Sequence, residues 1–467
     1  MSKWTRRAFL TTSAIAGGGV LIGVAMRPGN QVKDLAGKIG TGGGKLVHTY
    51  VKIGEDNVVT AMIPHSEMGQ GVHTALGQML AEELEADWDQ VNVEEAPALG
   101  EYANYSLGRT YLLTGIDFPK ILIPSIDGAM MGVADSLDMQ ITGGSMSVRT
   151  SGILSMRVAG AATREMLERA AADAWGVPAD EVIAEQSFLV HGRSSRKEPF
   201  SAFVNEVAVM TPSYTPAFKK PEDYKIVGQF VPRRDIPSKV DGSAKFAMDV
   251  NLPGMLYATV LRSPVPGGKV VSMEDKDARN VAGVHDVLVI PSASYSTMVG
   301  GFTAGETVAV VADSYWSANK ALRQITVQWS EVGYETVSSE TIFSQFDKDI
   351  SAETERQVDV SLGDADAIFA GAAKVIDADY NVPFLAHTCM EPLNATADVR
   401  DGQAEIWVGC QNPLGFRRAV ADSLGLDPEK VKLHNHAMGG GFGRKSVPDY
   451  ALQVAHISSV VLSLIHI

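Results

Sequence analysis

Five prolines fall between residues 211 and 239 (Pro212, Pro216, Pro221, Pro232 and Pro237), and they limit the fold more than any other feature of the chain. Proline fixes φ and lacks an N–H, so neither a continuous helix nor a central strand can run through this stretch. It reads as a linker or a long surface crossing, and a domain boundary is placed at 211–239. The flanking parts, 31–210 and 240–467, are each long enough to bury a core of their own.

Ahead of the prolines, Lys45 to Ile63 alternates around a turn at Gly54–Asn57, which predicts a β-hairpin. Ala75, Leu76, Met79, Leu80 and Leu84 recur at helical spacing and predict an amphipathic helix over Val72–Asp87. A second helix covers Val158–Trp175 and stops at Gly176-Val177-Pro178. Behind the prolines, residues 240–334 read as strand-rich, with strands at 256–261, 284–290 and 308–311 and a helix at 315–324. Residues 335–375 are polar and acidic and read as a connecting segment. Lys374 to His436 returns to strands, with a helix over 415–424, and another helix begins near Pro448. No repeat is visible, so a solenoid or propeller is not expected. The pattern as a whole predicts a mixed α and β (α+β) fold in several domains.

Residues 1–30 read as an address. Thr5-Arg6-Arg7-Ala8-Phe9-Leu10 places an arginine pair before a weakly apolar stretch that contains Gly17–Gly19, the form of a twin-arginine export signal. The alternative is a chance arginine pair before a buried helix, which three consecutive glycines disfavour. No A-x-A cleavage site follows, so the segment could stay as an anchor. Twin-arginine export carries folded proteins, so a large cofactor inserted in the cytoplasm is expected, and the destination is the periplasm or the outer face of the cytoplasmic membrane.

The formal net charge of −15 argues against a nucleic-acid partner, since no basic surface is available to neutralise phosphates. The two cysteines, Cys389 and Cys410, form no C-x-x-C pair, so this chain alone holds no iron–sulfur cluster or Cys-based zinc site. They are expected as buried free thiols, with a disulfide as the alternative. Electrons that leave such a protein need another subunit.

Four segments carry the chemical signal. In Pro64–Thr74, Glu67-Met68-Gly69-Gln70-Gly71 lies between a strand and a helix, where bare N–H groups and the helix N-terminus favour an anion. It fails as a dinucleotide fingerprint because Thr74 stands at the third glycine position, and a plain tight turn is the alternative. In Met438–Ser446, four glycines surround Phe442, and Arg444 and Lys445 add charge. A ligand can approach such a backbone closely. Arg444 interrupts a Walker A pattern, and a flexible surface loop is the alternative. The reading expects Phe442 to be buried. Thr142-Gly143-Gly144-Ser145 is weaker, because Gly/Ser stretches are commonly loops. In Pro383–Pro392, His387 and Glu391 are four apart, but the prolines exclude a helical metal pair. His434 and His436 share a strand face and are as readily explained by packing. No direct metal ligand and no nucleophile elbow is found.

Together these segments resemble the molybdopterin-binding large subunit of the xanthine oxidase and aldehyde oxidase family. Met68-Gly69-Gln70-Gly71 is similar to that family's Met-Gly-Gln-Gly cofactor loop. Gly439-Gly440-Gly441-Phe442-Gly443 is similar to its Gly-Gly-Gly-Phe-Gly loop, whose phenylalanine the resemblance puts beside the metal. Asp241–Phe246, Leu261–Pro264 and Gly305–Ala312 resemble the a/b hammerhead domain, and His387 with Met390-Glu391-Pro392 a segment leading into the first cofactor domain. The Met-Gly-Gln-Gly loop comes first here. That order resembles the exported branch that holds isoquinoline 1-oxidoreductase beta subunits and membrane-bound aldehyde dehydrogenases.

The resemblance implies domains at 31–210 (permuted part of the second molybdopterin-binding domain), 240–334 (hammerhead) and 376–467 (first molybdopterin-binding domain, incomplete). It implies cofactor binding by Met68, Gly69, Gln70, Gly71, Gly143, Gly144, Ser145, Gly440, Gly441, Phe442, Gly443 and Arg444. The implied cofactor is molybdenum–molybdopterin in its cytosine dinucleotide form. The implied reaction is oxidation of an aldehyde or N-heteroaromatic substrate with water as oxygen source. A small [2Fe–2S] subunit would take the electrons, with a c-type cytochrome subunit as a further candidate. The family's catalytic glutamate lies in a Gly-x-Gly-Glu segment that does not occur after Lys445, and the chain stops within the helix begun near Pro448. The expectation is therefore a C-terminally truncated subunit, inactive alone. The rival expectation is an exported, non-catalytic binding or scaffold protein that kept the domains.

Overall fold

Two β-hairpins, each followed by a helix and then a parallel strand, organise the molecule. The computed structural model describes residues 31–467 except 40–43, 114, 115, 117, 144, 298, 299, 335, 353–356 and 358. Residues 1–30, read above as an export signal, and Gly144 therefore lie outside the described residues.

The first unit joins Val51–Gly54 to Val59–Ile63 as an antiparallel hairpin, with Gly44–His48 added on its outer side. The helix Val72–Leu84 then returns the chain so that Val91–Glu95 pairs in parallel with Val59–Ile63, Ile63 facing Glu95. All five residues of Val59–Ile63 are buried, the continuous apolar run expected of a strand covered on both faces. Leu76, Leu80 and Leu84 share the inner face of the helix, which packs on the long helix Arg157–Trp175. Gly160 sets that approach, because a Cβ there would lie 2.3 Å from the Leu80 carbonyl oxygen. The two backbones meet with no side chain between them.

The second unit repeats the pattern. Ala395–Arg400 and Gln403–Val408 form the hairpin, Pro413–Leu424 is the helix, and Val431–Asn435 pairs in parallel with Gln403–Val408. The helix is capped at its start by the Asn412 side chain, which accepts from the Gly415 N–H, and at its end by Gly425 in the left-handed region. This sheet continues through Ile465–His466 into Leu256–Arg262, Thr307–Ala312 and Val284–Ile290, making seven strands. A core of alanines, valines and isoleucines with Phe416 and Tyr450 lies beneath it.

Several expectations change. The segment 211–239 is a crossing strapped to the first unit. Buried Glu82 accepts from the N–H groups of Lys225, Ile226 and Val227 and pairs with Lys219, while buried Glu83 accepts from the Lys219 N–H. The connecting segment 335–375 contains two helices, Ser339–Ser351 and Ala365–Gly371. Strands do not resume at Lys374, because 359–388 is exposed throughout and the next strand begins at Ala395. The helix from Asp449 ends at Val461, where Leu462 turns into the left-handed region, so the chain does not stop within it. Among the described residues, no helix is long and apolar enough to cross a membrane.

Candidate functional site

In an open sheet with a parallel crossover, the strand ends and the helix N-terminus after them form a natural ligand edge. Both units present that edge to each other. The first contributes the loop from Pro64 to Gly71, between Ile63 and the helix at Val72. Gly69 and Gly71 take positive φ (98° and 80°), which folds the loop back on itself. The buried Glu67 carboxylate fills the resulting cradle: Oε1 accepts from the Gly69 and Gly71 N–H groups at 2.9 Å each, and Oε2 from His73 at 3.3 Å. Gln70 closes the turn, accepting from the Met68 N–H and donating to the Ser66 carbonyl. The anion expected at these glycines is thus the chain's own Glu67. Arg233, from the proline-rich crossing, donates to the Gly69 carbonyl at 2.8 Å and to Glu67 at 3.2 Å.

The second unit contributes the loop from His436 to Ser446, after Asn435. Gly439 is bonded in both directions to Glu391, donating to its carboxylate at 2.9 Å and accepting from its N–H at 3.0 Å. Gly443 donates to the Gln411 side chain at 3.0 Å, and the Lys445 carbonyl accepts from the Gln411 N–H at 2.9 Å. Between these two anchors the N–H groups of Gly440, Gly441 and Phe442 find no partner among the described residues. Phe442 itself has φ +50° and is 67% exposed. The expectation of a buried ring is therefore corrected: the glycines leave it no walls, and its left-handed backbone turns it outward.

Arg444 and Lys445 are both engaged. Arg444 forms a bidentate pair with Asp449 at 3.0 and 2.7 Å, and Lys445, 1% exposed, pairs with Glu391 at 2.6 Å.

The two loops touch. The Met438 N–H donates to the Glu67 carbonyl at 2.9 Å, and Met68 Sδ lies 3.3 Å from where a Cβ on Gly441 would stand. Behind them Glu95, at the end of its strand, accepts from Ser66 at 3.0 Å and from Asn435, so one carboxyl ties both strand ends. Burial pushes Glu95 up to about 8, against the lowering effect of its bonds from Asn435 and Ser66 and with repulsion from Glu67 adding to the rise. Burial holds His65 down to about 3 and also lowers the neighbouring His73. Asp235 lies well below the usual carboxylate range, because bonds from Arg233 and Lys239 outweigh its burial.

The residues singled out from sequence divide accordingly. Met68, Gly69, Gln70, Gly71, Gly440, Gly441, Phe442, Gly443 and Arg444 lie on the two facing loops. Thr142 reaches both, accepting from the Ser66 N–H and donating its own N–H to the Gln411 carbonyl. Gly143 and Ser145 follow it without a hydrogen bond to either loop, and the Ser145 carbonyl accepts from Arg149 at the start of a helical stretch. That stretch, Ser147–Met156, is a π-helix running into Arg157–Trp175. Cys389 is half-buried with its thiol directed at the Gly441 carbonyl, and Cys410 is buried; both are free, so only one fits the expectation of burial. His387 lies in the exposed stretch, and His434 stacks on Trp407 with centroids 5.2 Å apart. Sequence reasoning missed Arg233, Glu95, Gln411 and Asn435, and the part Glu67 takes as an internal anion. Only Glu67 carried a signal, as an acidic residue directly before the glycines of a helix start.

Two models of known protein families, each described as a molybdopterin cofactor-binding domain, match the chain: the second over residues 1–101 and the first over 347–462, so the second precedes the first here. The chain is 30% identical over 452 residues to isoquinoline 1-oxidoreductase subunit beta of Brevundimonas diminuta, covering 88% of this chain and 52% of the relative. It is 29% identical over 477 residues to the membrane-bound aldehyde dehydrogenase (pyrroloquinoline-quinone) of Gluconacetobacter polyoxogenes, covering 98% and 54%. The chain thus spans about half the length of these relatives. Among solved structures it resembles the aldehyde oxidoreductase of Desulfovibrio gigas with TM-score 0.39 and 22% identity, over 57% of this chain and 33% of that one. Both glycine loops lie within these matches, so the chain carries sequence of two molybdopterin cofactor-binding domains, the second before the first, and is similar to isoquinoline 1-oxidoreductase subunit beta.

Proposed function

We propose that this chain is the molybdopterin-binding large subunit of a molybdenum hydroxylase that oxidises an aldehyde or an N-heteroaromatic compound, with water as the oxygen source. The observation that carries the reading is the arc Gly440–Gly441–Phe442, three successive N–H groups with no partner among the described residues, on the loop that touches the glycine loop of the other unit. Three successive donors suit a flat ligand edged with acceptors, which a pterin is. A Cβ on Gly441 would meet Gln411 Oε1 at 2.7 Å and Met68 Sδ at 3.3 Å, so glycine there lets the arc pack directly on those two side chains. The Gly69–Gly71 loop fits less directly, because Glu67 already accepts from its N–H groups. It serves as a wall, with Met68 against Gly441.

When bound, the molybdenum cofactor supplies the redox chemistry at the substrate carbon. The chain's own residues position it: Gly440, Gly441 and Phe442 donate, Phe442 offers an exposed ring, and Glu391, Gln411 and Asp449 hold the loop that carries them. Among the described residues no group of three or more His, Cys, Asp or Glu could hold a metal ion. The two separate thiols support a [2Fe–2S] subunit as electron carrier, with a c-type cytochrome as a further candidate. The cytosine dinucleotide form and twin-arginine export to the periplasm complete the proposal, the latter on Arg6-Arg7.

Purification from a host that makes molybdenum cofactor, followed by metal and pterin analysis and dye-linked oxidation of benzaldehyde and of quinoline, tests this. Molybdenum and pterin near one per chain with turnover supports the proposal. Cofactor without turnover favours the non-catalytic binding protein. A bound quinone in place of the pterin would overturn the cofactor assignment.

A further inference from the structure

We propose that Glu391 is a positioning residue that anchors the glycine arc through Gly439, and that Lys445 is present to neutralise it. The proposal rests on the cofactor reading only for what the arc binds. Glu391 makes four polar contacts, and two of them go to Gly439, the residue that leads into the arc. Its Oε2 accepts from the Gly439 N–H at 2.9 Å, and its own N–H donates to the Gly439 carbonyl at 3.0 Å. Lys445 Nζ reaches the same Oε2 at 2.6 Å, and Asn394 reaches Oε1 at 3.3 Å. A Cβ on Gly439 would sit 2.5 Å from the Glu391 Cβ, so the two backbones are pressed together with no slack.

The location explains the lysine. The Glu391 and Lys445 side chains are 4% and 1% exposed. A lone carboxylate there would be strongly unfavourable, and a buried lysine alone equally so. If stability were the only purpose, an apolar pair of similar volume would serve as well or better. What an apolar pair cannot do is accept the Gly439 N–H. The carboxylate therefore fixes one end of the arc, and Gln411 fixes the other at Gly443. With both ends held, the three N–H groups between them stay presented and Phe442 keeps its left-handed φ of 50°.

Two charge-neutral double variants of the full chain separate anchoring from ion pairing. K445M/E391Q removes both charges but keeps an oxygen to accept from Gly439. K445M/E391M removes the charges and the acceptor together. Hydrogen–deuterium exchange of peptides covering residues 436–447 is compared with peptides from the helix Asp449–Val461, and pterin per purified chain is measured in parallel. The protected amides of Met438, Gly439, Gly443 and Arg444 are expected to exchange about tenfold faster in K445M/E391M and to stay within about threefold of the parent in K445M/E391Q, the helix being unchanged in both. Pterin content should fall only in the methionine pair. Equal loosening in the two doubles would overturn the proposal in favour of the ion pair, and equal loosening of loop and helix would overturn it in favour of a purely structural role. If the cofactor reading is wrong, pterin is absent from the parent as well, yet the exchange contrast persists.

Discussion

The two glycine loops both leave the same edge of a parallel strand pair, the first running from Ile63 into the helix at Val72 and the second following Val431–Asn435, yet one is closed and the other open. On the first, Glu67 folds back into the cradle made by Gly69 and Gly71, and Arg233 locks it from outside. On the second, anchors at Gly439 and Gly443 leave three N–H groups between them with no partner among the described residues. Both loops lie at the carboxyl edge of a parallel strand pair, so that edge alone does not decide which one can take a ligand. The decision lies in where the nearest carboxylate reaches. Glu67 reaches the middle of its loop, whereas Glu391 reaches only the end of the other. A loop filled by its own anion becomes a wall, and a loop held at its ends becomes a receptor.

The most severe way to break this contrast is to remove the counter-charge of the open loop. Lys445→Met leaves the Glu391 carboxylate buried and uncompensated, a loss of about 3–5 kcal/mol in unfolding free energy. Denaturant midpoints at pH 7 measure it. A loss under about 1 kcal/mol would show that water or another cation reaches Glu391 and that the frame is not sealed.

The seam between the loops gives the next effect. Glu95 holds its proton up to about pH 8 in the folded chain, against an ordinary value of 4.5. The folded state therefore binds a proton that the unfolded state releases. Its stabilising effect is complete below about pH 4.5 and is lost as pH rises through about 8. His73, 3.7 Å from Glu95, and His65 are held low by burial and act oppositely, weakening the fold as pH falls below about 6.5. Glu95→Gln keeps a group that can bond Ser66 and Asn435 but does not titrate. Stability of the parent minus that of E95Q is expected to decline by a few kcal/mol between pH 5 and pH 8. A flat difference would mean that Glu95 is hydrated in solution.

How much of this was readable beforehand follows from the range of each interaction. Strands Val284–Ile290 and Leu256–Arg262 and the helix Val72–Leu84 were legible because their apolar residues repeat locally. The hairpin Ala293–Thr297 with Gly300–Ala304 was not, since neither strand carries an apolar run. In the helix Ser339–Ser351, Ile342, Phe346 and Ile350 do recur every four residues, but the polar residues around them read as a connecting segment, and the helix turns out to be exposed. The glycine loops were visible as motifs, and their opposite states were not. Arg233 is 166 residues from Glu67, Lys445 is 54 from Glu391, and Asn435 is 340 from Glu95. Partners at such separations leave no local pattern in a single sequence.

A moderate effect comes from opening the closed loop. Glu67→Ala removes the acceptor for Gly69, Gly71 and His73 and the partner of Arg233, at a cost of about 2 kcal/mol. The variant would then resemble the second loop, with free N–H groups at a helix N-terminus beside an arginine. Inorganic phosphate at millimolar concentration should raise its melting temperature and leave the parent's unchanged. Equal response of the two proteins would show that Glu67 is not what keeps anions out.

The smallest effect concerns Phe442 and distinguishes strain kept for a purpose from strain that is merely tolerated. Its φ of +50° disfavours any side chain with a Cβ, while its 67% exposure means that little packing is lost when the ring is removed. Phe442→Gly relieves the backbone but adds freedom to the unfolded chain, so the net change is a gain of less than about 1 kcal/mol. On the closed loop the same logic runs in reverse. Gly71→Ala puts a Cβ at φ +80° and 3.5 Å from the Arg233 guanidinium, and should lose about 1 kcal/mol. Thermal unfolding of the two variants side by side reads both signs. If Phe442→Gly is stabilising while the amount of pterin retained per chain falls, the outward ring is kept for the ligand at the expense of the fold. If it is destabilising by more than about 1 kcal/mol, the ring packs in solution and the open loop is less open than its geometry shows.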